Sequence, residues 1–128
     1  MAYLIVFIGA GLGGALRHFV NVLAMRCAYP TYAGTLFINV TGSFLIGGVV
    51  GYFALRGYLP ARLQLFLTTG ILGGYTTFSA FSLETVLLVE RNQYSTAAGY
   101  VVGSVILSAA GTFAALSLLR HLLGPDSR

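Results

Sequence analysis

The sequence predicts an all-α membrane protein with four transmembrane helices in one domain over residues 1–128. The chain is 57% hydrophobic, and its mean hydropathy is +0.86. Only 8% of its residues are charged, compared with about 25% in an ordinary soluble domain. The stretches between charged side chains can each hold the roughly 20 apolar residues that cross a bilayer. The predicted spans cover about residues 3–25, 33–55, 63–90 and 95–121.

The composition also argues against several classes of protein. A single cysteine permits neither an intrachain disulfide nor a thiolate metal cluster. His18 and His121 are far apart and have no acidic or thiol companions nearby in the sequence, so neither metal ligation nor catalysis is expected. The net charge of +4 comes from scattered arginines rather than a clustered basic face, so no nucleic acid partner is predicted. Without a catalytic motif, the chain is not expected to be an enzyme.

The distribution of arginines gives little preference for one orientation in the membrane. Four spans place one set of loops and both termini on one side, and the remaining loops on the other. The two sides carry Arg56, Arg62, Arg120 and Arg128 against Arg26 and Arg91, with Arg17 joining the second set if it extends that way. Weak bias allows insertion in both directions, which makes an antiparallel, dual-topology homodimer a reasonable expectation.

The first span combines small residues with one deep arginine. It lacks the basic start and small-residue cleavage site of a signal peptide, so it is expected to stay in the protein. Gly9 and Gly13 form a GxxxG pattern that is typical of close helix packing. Arg17 has two interpretations. It either extends to the membrane interface, or it lies as a cation at the mouth of an anion pathway.

The second span carries Thr35, Asn39 and Ser43 at intervals of four residues, which places them on one helical face. Asn39 is the only amide among the deeply placed polar residues of the spans. A buried asparagine often forms a hydrogen bond between helices. The alternative is that its amide donates to an anion that has lost its water.

The third span is predicted to be broken near residues 73–77, close to the middle of the membrane. Gly73 and Gly74 are followed by Thr76 and Thr77, and adjacent glycines with β-branched residues disfavour a continuous helix. A break at this depth is tolerated only inside protein or beside a cavity. It exposes carbonyls that suit a cation and a helix N-terminus that suits an anion. Phenylalanines at positions 78 and 81 share one face of the second half.

The fourth span has the longest polar pattern. Hydroxyl residues recur every four positions, and at 1.5 Å per residue they extend over about 24 Å, most of the thickness of the hydrocarbon region. They are Thr96, Tyr100, Ser104, Ser108 and Thr112. Glycines along the same helix leave small-residue packing as the alternative explanation.

These polar groups favour the passage of a small anion. The middle of each span lacks an acidic residue, which argues against a cation path or a proton relay. Glu84 lies towards the end of span three and is expected to pair with an arginine at the membrane interface. Neutral donors and aromatic rings suit an ion that must exchange its water shell. These donors and rings do not by themselves indicate selectivity for fluoride over chloride.

Taken together, the motifs resemble the Fluc (CrcB-type) fluoride channels of microbial membranes. The resemblance covers essentially the whole chain. It rests on GALRH at residues 14–18, GTLFIN at 34–39, GGYTTFSAF at 73–81, and the hydroxyl pattern of the last span. The resemblance implies an antiparallel dual-topology homodimer with two fluoride pores in the bacterial inner membrane. It also implies passive export of fluoride from the cytoplasm, which relieves fluoride toxicity, and a structural sodium ion at the dimer centre.

The resemblance also implies roles for individual residues. A fluoride pathway would be lined by Asn39, Phe78, Phe81, Tyr100, Ser104 and Ser108. Arg17 would stand in the vestibule, and the backbone carbonyls of Gly73 and Thr76 would bind the sodium. The sequence departs from the family pattern at two positions. Ala80 replaces a frequent threonine, and His18 replaces an aromatic residue after the vestibule arginine.

Two other functions stay open as alternatives. A proton-coupled small multidrug-type exporter would be expected to carry a glutamate within its first span, and this chain has none there. A non-transporting membrane scaffold subunit would use the glycines for packing but would have little need for the long row of hydroxyls. Fluoride flux in reconstituted vesicles separates both alternatives from a channel.

Overall fold

The computed structural model describes residues 1–57 and 60–124. The described chain is helical throughout, apart from short connections. Its elements are α1 (Ala2–Arg26), α2 (Thr31–Arg56), α3 (Ala61–Leu65), a π-helical segment (Phe66–Leu72), α4 (Gly73–Tyr75), α5 (Phe78–Glu90) and α6 (Tyr94–Leu123).

Four helical stretches are long and apolar enough to cross a membrane. They are Ala2–Arg26, Thr31–Arg56, Ala61–Glu90 and Tyr94–Leu123, which confirms the predicted all-α protein with four spans. Short turns connect α1 to α2 and α5 to α6, with left-handed residues Ala28 and Asn92. Helix α2 ends at Arg56 and is capped by Gly57, whose φ of 60° favours glycine.

The third span consists of several segments rather than one regular helix. It starts as α3, widens into the π-helical segment, and returns to a single α-turn in α4. Thr76 and Thr77 then have extended backbone, with ψ angles of 156° and 117°. Helix α5 starts at Phe78 and continues to the end of the span. The π-helical segment was not predicted from the sequence.

Helix α1 packs closely against the first half of the third span. Gly9 and Gly13 are its buried residues. A Cβ atom at Gly9 would lie 2.8 Å from the Cα of Gly70, and one at Gly13 would overlap the carbonyl oxygen of Ile71. The two helices therefore touch backbone to backbone, as the GxxxG pattern predicts.

Helices α2 and α6 make the most extensive contact in the molecule. A Cβ atom at Gly47 would lie 2.7 Å from the carbonyl oxygen of Thr112, and one at Gly51 would lie 3.1 Å from Leu116. The hydroxyl of Thr112 crosses this contact and donates to the carbonyl of Ser43 at 2.8 Å. The close approach fixes the polar faces of the second and fourth spans relative to each other.

Candidate functional site

The site is built around the extended residues Thr76 and Thr77, where the third span leaves the helical conformation. Asn39 on α2 faces this point. Its Nδ2 donates to the Thr77 carbonyl at 3.0 Å, and its Oδ1 accepts from the Thr77 amide at 2.8 Å. One side-chain amide thus satisfies both backbone groups of Thr77, which would otherwise be costly to leave unpaired in an apolar region.

Thr77 also starts the next helix. Its Oγ1 accepts from the Ala80 amide at 3.2 Å, as an N-cap residue does. In a continuous helix the Ala80 amide would instead donate to the carbonyl of Thr76, and the Thr77 amide would donate to that of Gly73. Both amides are used elsewhere. The carbonyls of Gly73 and Thr76 are therefore released from helical hydrogen bonding with these amides.

The released carbonyls have the chemistry that a hard cation takes as ligands. Gly73 is the first residue of α4 and Thr76 directly follows its last residue, so one chain supplies two such oxygens. Among the described residues there is no group of three or more His, Cys, Asp or Glu side chains that could hold a metal ion. These two carbonyl oxygens are the groups near the extended residues that could hold a hard cation.

Beside the extended residues lies a groove of about 380 Å³ between the second, third and fourth spans. We call it the groove throughout. It brings together seven of the nine residues that the sequence singled out, from three different spans. These are Asn39, Gly73, Thr76, Phe78, Phe81, Ser104 and Ser108.

Two aromatic rings from the first turn of α5 form one side of the groove. The ring centroids of Phe78 and Phe81 are 5.4 Å apart, with planes inclined at 44°. Phe81 also contacts Tyr100 on α6, with 5.3 Å between centroids. Phe81 is held on both sides, whereas Phe78 is 78% exposed. A side chain so exposed on one copy is available to a second copy or to lipid.

Ser104 places an unpartnered hydroxyl at the groove. Its side chain is 6% exposed, and its Oγ has no hydrogen-bond partner in the part of the chain that the structure describes. A serine in a helix commonly bonds the carbonyl four residues earlier, which would make it structurally neutral. Ser104 does not, so its proton remains available to a species in the groove.

The remaining hydroxyls of the fourth span do not form one continuous row of free donors. Thr112 is occupied by the carbonyls of Ser43 and Ser108. Tyr100 is buried beside the groove rather than lining it, and its hydroxyl donates to Glu84. Of the five hydroxyl residues, the groove is lined by Ser104 and Ser108.

Glu84 has hydrogen-bond partners other than the arginine that was expected from the sequence. Its carboxylate accepts hydrogen bonds from Thr35 at 2.9 Å and from Tyr100 at 2.7 Å, where an arginine was expected. The three side chains come from α2, α5 and α6. Each lies on a polar position of an otherwise apolar span, and that shared feature is the only sequence signal for the cluster.

Arg17 lies beside the site without lining the groove. It is half-buried on α1, and its Nη1 is 3.5 Å from the Thr76 carbonyl oxygen. That distance is at the long end for a hydrogen bond. The contact places a positive charge close to the extended residues.

Comparison with known proteins gives a consistent result along the whole chain. Residues 4–116 match the model of the family described as CrcB-like protein, Camphor Resistance (CrcB). A protein of Granulibacter bethesdensis named "Fluoride-specific ion channel FluC" is 60% identical over 124 residues, covering 96% of this chain and 98% of the relative.

Two more relatives bear the same name. The protein of Methylobacterium nodulans is 56% identical, with 92% of this chain and 95% of the relative covered. That of Rhodopseudomonas palustris (strain BisB5) is 54% identical, with 95% and 99% covered. With its four apolar spans, the chain is a multi-pass membrane protein, and it belongs to the CrcB family.

Proposed function

We propose that this protein is a passive, fluoride-selective ion channel that exports fluoride from the cytoplasm and relieves fluoride toxicity. The observation that carries the proposal is the buried hydroxyl of Ser104, which has no hydrogen-bond partner within residues 1–57 and 60–124, at a groove that Phe78 and Phe81 also line. The choice of fluoride is supported by relatives up to 60% identical that are named fluoride-specific ion channels.

In this proposal the protein replaces the water shell of the ion with neutral donors. Ser104 and Ser108 supply hydroxyls, and the ring edges of Phe78 and Phe81 supply positive quadrupole charge. Arg17 raises the local concentration of anions near the vestibule. Asn39 contributes in two ways, because it holds Thr77 in place and has a second amide proton beyond the one donated to the Thr77 carbonyl.

The protein is proposed to act as an antiparallel dual-topology homodimer in the bacterial inner membrane. One chain leaves Phe78 largely exposed at its groove, and a second copy would cover this surface. Weak arginine bias permits the two orientations that such a dimer needs. The extended residues Thr76 and Thr77 would then lie near mid-membrane and face their counterparts across the dimer axis.

A sodium ion is proposed at the dimer centre, held by the Gly73 and Thr76 carbonyls of both copies. Its chemistry is structural, since it would neutralise carbonyl ends that face one another. Arg17 lies 3.5 Å from the same Thr76 oxygen, so guanidinium and sodium would share this carbonyl. Binding is tested by thermal unfolding of the purified protein in sodium against N-methylglucamine, where sodium should raise the midpoint. Equal midpoints in both would contradict a sodium site.

The channel proposal is tested in liposomes loaded with fluoride, with efflux followed by a fluoride electrode. We expect rapid passive efflux without an imposed proton gradient. Phe81→Ile should reduce it strongly because both ring contacts of Phe81 are lost. Phe7→Ile is the matched control, since Phe7 is 76% exposed on α1 and lies away from the groove. Retention of fluoride by vesicles that contain wild-type protein would reject the channel.

A further inference from the structure

An apolar cavity opens between the second half of α2 and the start of the third span. Its volume is about 550 Å³. The described residues that line it are all aliphatic, aromatic or glycine, and they include Phe44, Gly48 and Tyr52 on α2 with Leu63 and Leu67 on the third span. We call it the cleft. It is separate from the groove, because no described residue lines both.

The cleft is about as long as one leaflet of a bilayer is deep. From Phe44, which lines the cleft, to Arg56, where α2 ends, the helix rises about 18 Å at 1.5 Å per residue. Half of the hydrocarbon thickness of a bilayer is about 15 Å. An acyl chain that lies along the cleft would therefore keep apolar surroundings from the end of the bundle to the middle of the membrane.

Two arginines lie at the end of the cleft where α2 ends and α3 begins. Arg56 and Arg62 are both exposed. The guanidinium of Arg56 is 5.8 Å from the ring centroid of Tyr52, which lines the cleft, and Arg62 directly precedes Leu63, which lines it too. Arg62 is the second residue of α3, a position where the helix dipole disfavours a cation. The stability of that helix does not explain it.

We propose that the cleft binds an acyl chain of an anionic phospholipid and that Arg56 and Arg62 hold the phosphate of its head group. A guanidinium presents parallel N–H donors that match two phosphate oxygens. Basic pockets between transmembrane helices are suited to anionic head groups, and a tyrosine is favoured at the membrane interface. The inference goes beyond the proposed channel function and requires only that the chain spans a membrane.

A second copy of the chain is the other candidate for the cleft. At 3.6 residues per turn, the residues of α2 that line the cleft and those that line the groove are centred about 120° apart around the helix. A copy that covers Phe78 at the groove would therefore leave the cleft open to lipid. The chain also carries a net charge of +4, which makes a second copy a poor partner for two arginines.

The test is native mass spectrometry of the purified protein with dioleoyl-phosphatidylglycerol or dioleoyl-phosphatidylcholine, which differ only in the head group. Wild-type protein should retain more of the anionic lipid. Arg56→Gln and Arg62→Gln should each lower its apparent affinity about fivefold, as expected for one charge near an anionic surface. Arg120→Gln is the matched control, since Arg120 is exposed near the end of α6 and does not line the cleft. It should bind like wild type.

Gly48→Leu tests the site of the acyl chain with both arginines in place. A Cβ atom at Gly48 meets nothing within 4 Å, so the larger side chain can fill the cleft without displacing backbone. Binding of the anionic lipid should fall several-fold. Gly11→Leu is the control, because a Cβ atom at Gly11 also meets nothing within 4 Å and Gly11 does not line the cleft.

Three results would overturn the inference. The first is equal retention of the two lipids by the wild type, and the second is unchanged binding of the anionic lipid in both Arg56→Gln and Arg62→Gln. The same spectra report how many copies assemble. If Gly48→Leu separates the copies while lipid binding is kept, the cleft belongs to a second copy. None of these readings depends on fluoride flux, so failure of the lipid site and failure of the channel proposal are distinguishable.

Discussion

Asn39 and Thr77 exchange two hydrogen bonds across 38 residues of sequence, and through them α2 holds the point where the third span is extended. The side-chain amide of Asn39 makes the two hydrogen bonds that the backbone of Thr77 would make with other backbone groups in a continuous helix. Because no water is present in the bilayer core to take over these bonds, their loss would leave the backbone of Thr77 unpaired. The sequence left open whether Asn39 forms a hydrogen bond between helices or donates one to an anion. The structure shows the first role.

Asn39→Ala should therefore destabilise the protein by about 2 kcal/mol, since two backbone groups lose their partners. The measurement is denaturant unfolding in detergent, followed by circular dichroism. Asn21→Ala on α1 is the control because Asn21 is also half-buried and is not bonded to the extended residues. Equal stability of the two variants would show that the Asn39–Thr77 pair contributes nothing.

Ser104→Ala separates conduction from stability. The variant removes a buried hydroxyl that has no partner among the described residues, so the free energy of unfolding should stay the same or rise by about 1 kcal/mol. Fluoride efflux should fall several-fold, because the groove loses a donor. The exposed Ser117 on the same helix provides the control variant, Ser117→Ala. Full efflux from Ser104→Ala vesicles would contradict a role for this hydroxyl in the pathway.

Tyr100→Phe tests the cluster around Glu84. The ring contacts with Phe81 and Tyr32 stay in place, and only the hydrogen bond to the carboxylate is removed. Hydrogen bonds to charged groups contribute about 1.5–3 kcal/mol, so unfolding should become easier by that amount. Thermal unfolding in detergent measures the change.

The control for Tyr100→Phe is Tyr94→Phe, which removes an exposed hydroxyl bonded to Asn92. A hydrogen bond in contact with water contributes less, so this variant should unfold like the wild type. If both tyrosine variants lose the same free energy of unfolding, the hydrogen bond to Glu84 contributes no more to stability than the exposed one to Asn92.

Much of the fold could be predicted from the sequence because hydropathy and length are local properties. Four apolar stretches remain apolar whatever they contact, and Gly9 and Gly13 indicate close packing in any bundle. The environment of Glu84 could not be predicted in the same way. Its partners are 49 and 16 residues away and depend on how α2 and α6 face α5. The π-helical segment was not predicted either, and its backbone packs on α1 through Gly70, which is a contact between residues distant in the sequence.

The candidate site shows the same division. The spacing of Phe78 and Phe81 indicated two side chains that do line one groove, and Ser104 and Ser108 of the hydroxyl pattern line it as well. The pattern gave no means to tell free hydroxyls from bonded ones. Ser104 and Thr112 occupy equivalent positions in the repeat. Ser104 has no hydrogen-bond partner among the residues that the structure describes, whereas Thr112 donates to the carbonyls of Ser43 and Ser108.

Gly13→Ala tests the close contact between α1 and the first half of the third span. A Cβ atom there would overlap the Ile71 carbonyl oxygen and lie 2.8 Å from the Tyr75 amide, so α1 would have to move away. Overpacking of this kind costs about 1–3 kcal/mol. Gly11→Ala is the control, because a Cβ atom at Gly11 meets nothing within 4 Å. Replacing that glycine in a helix should leave stability unchanged or raise it by up to about 1 kcal/mol. Opposite shifts in the thermal unfolding midpoint are expected, and two equal shifts would show that α1 is free to move.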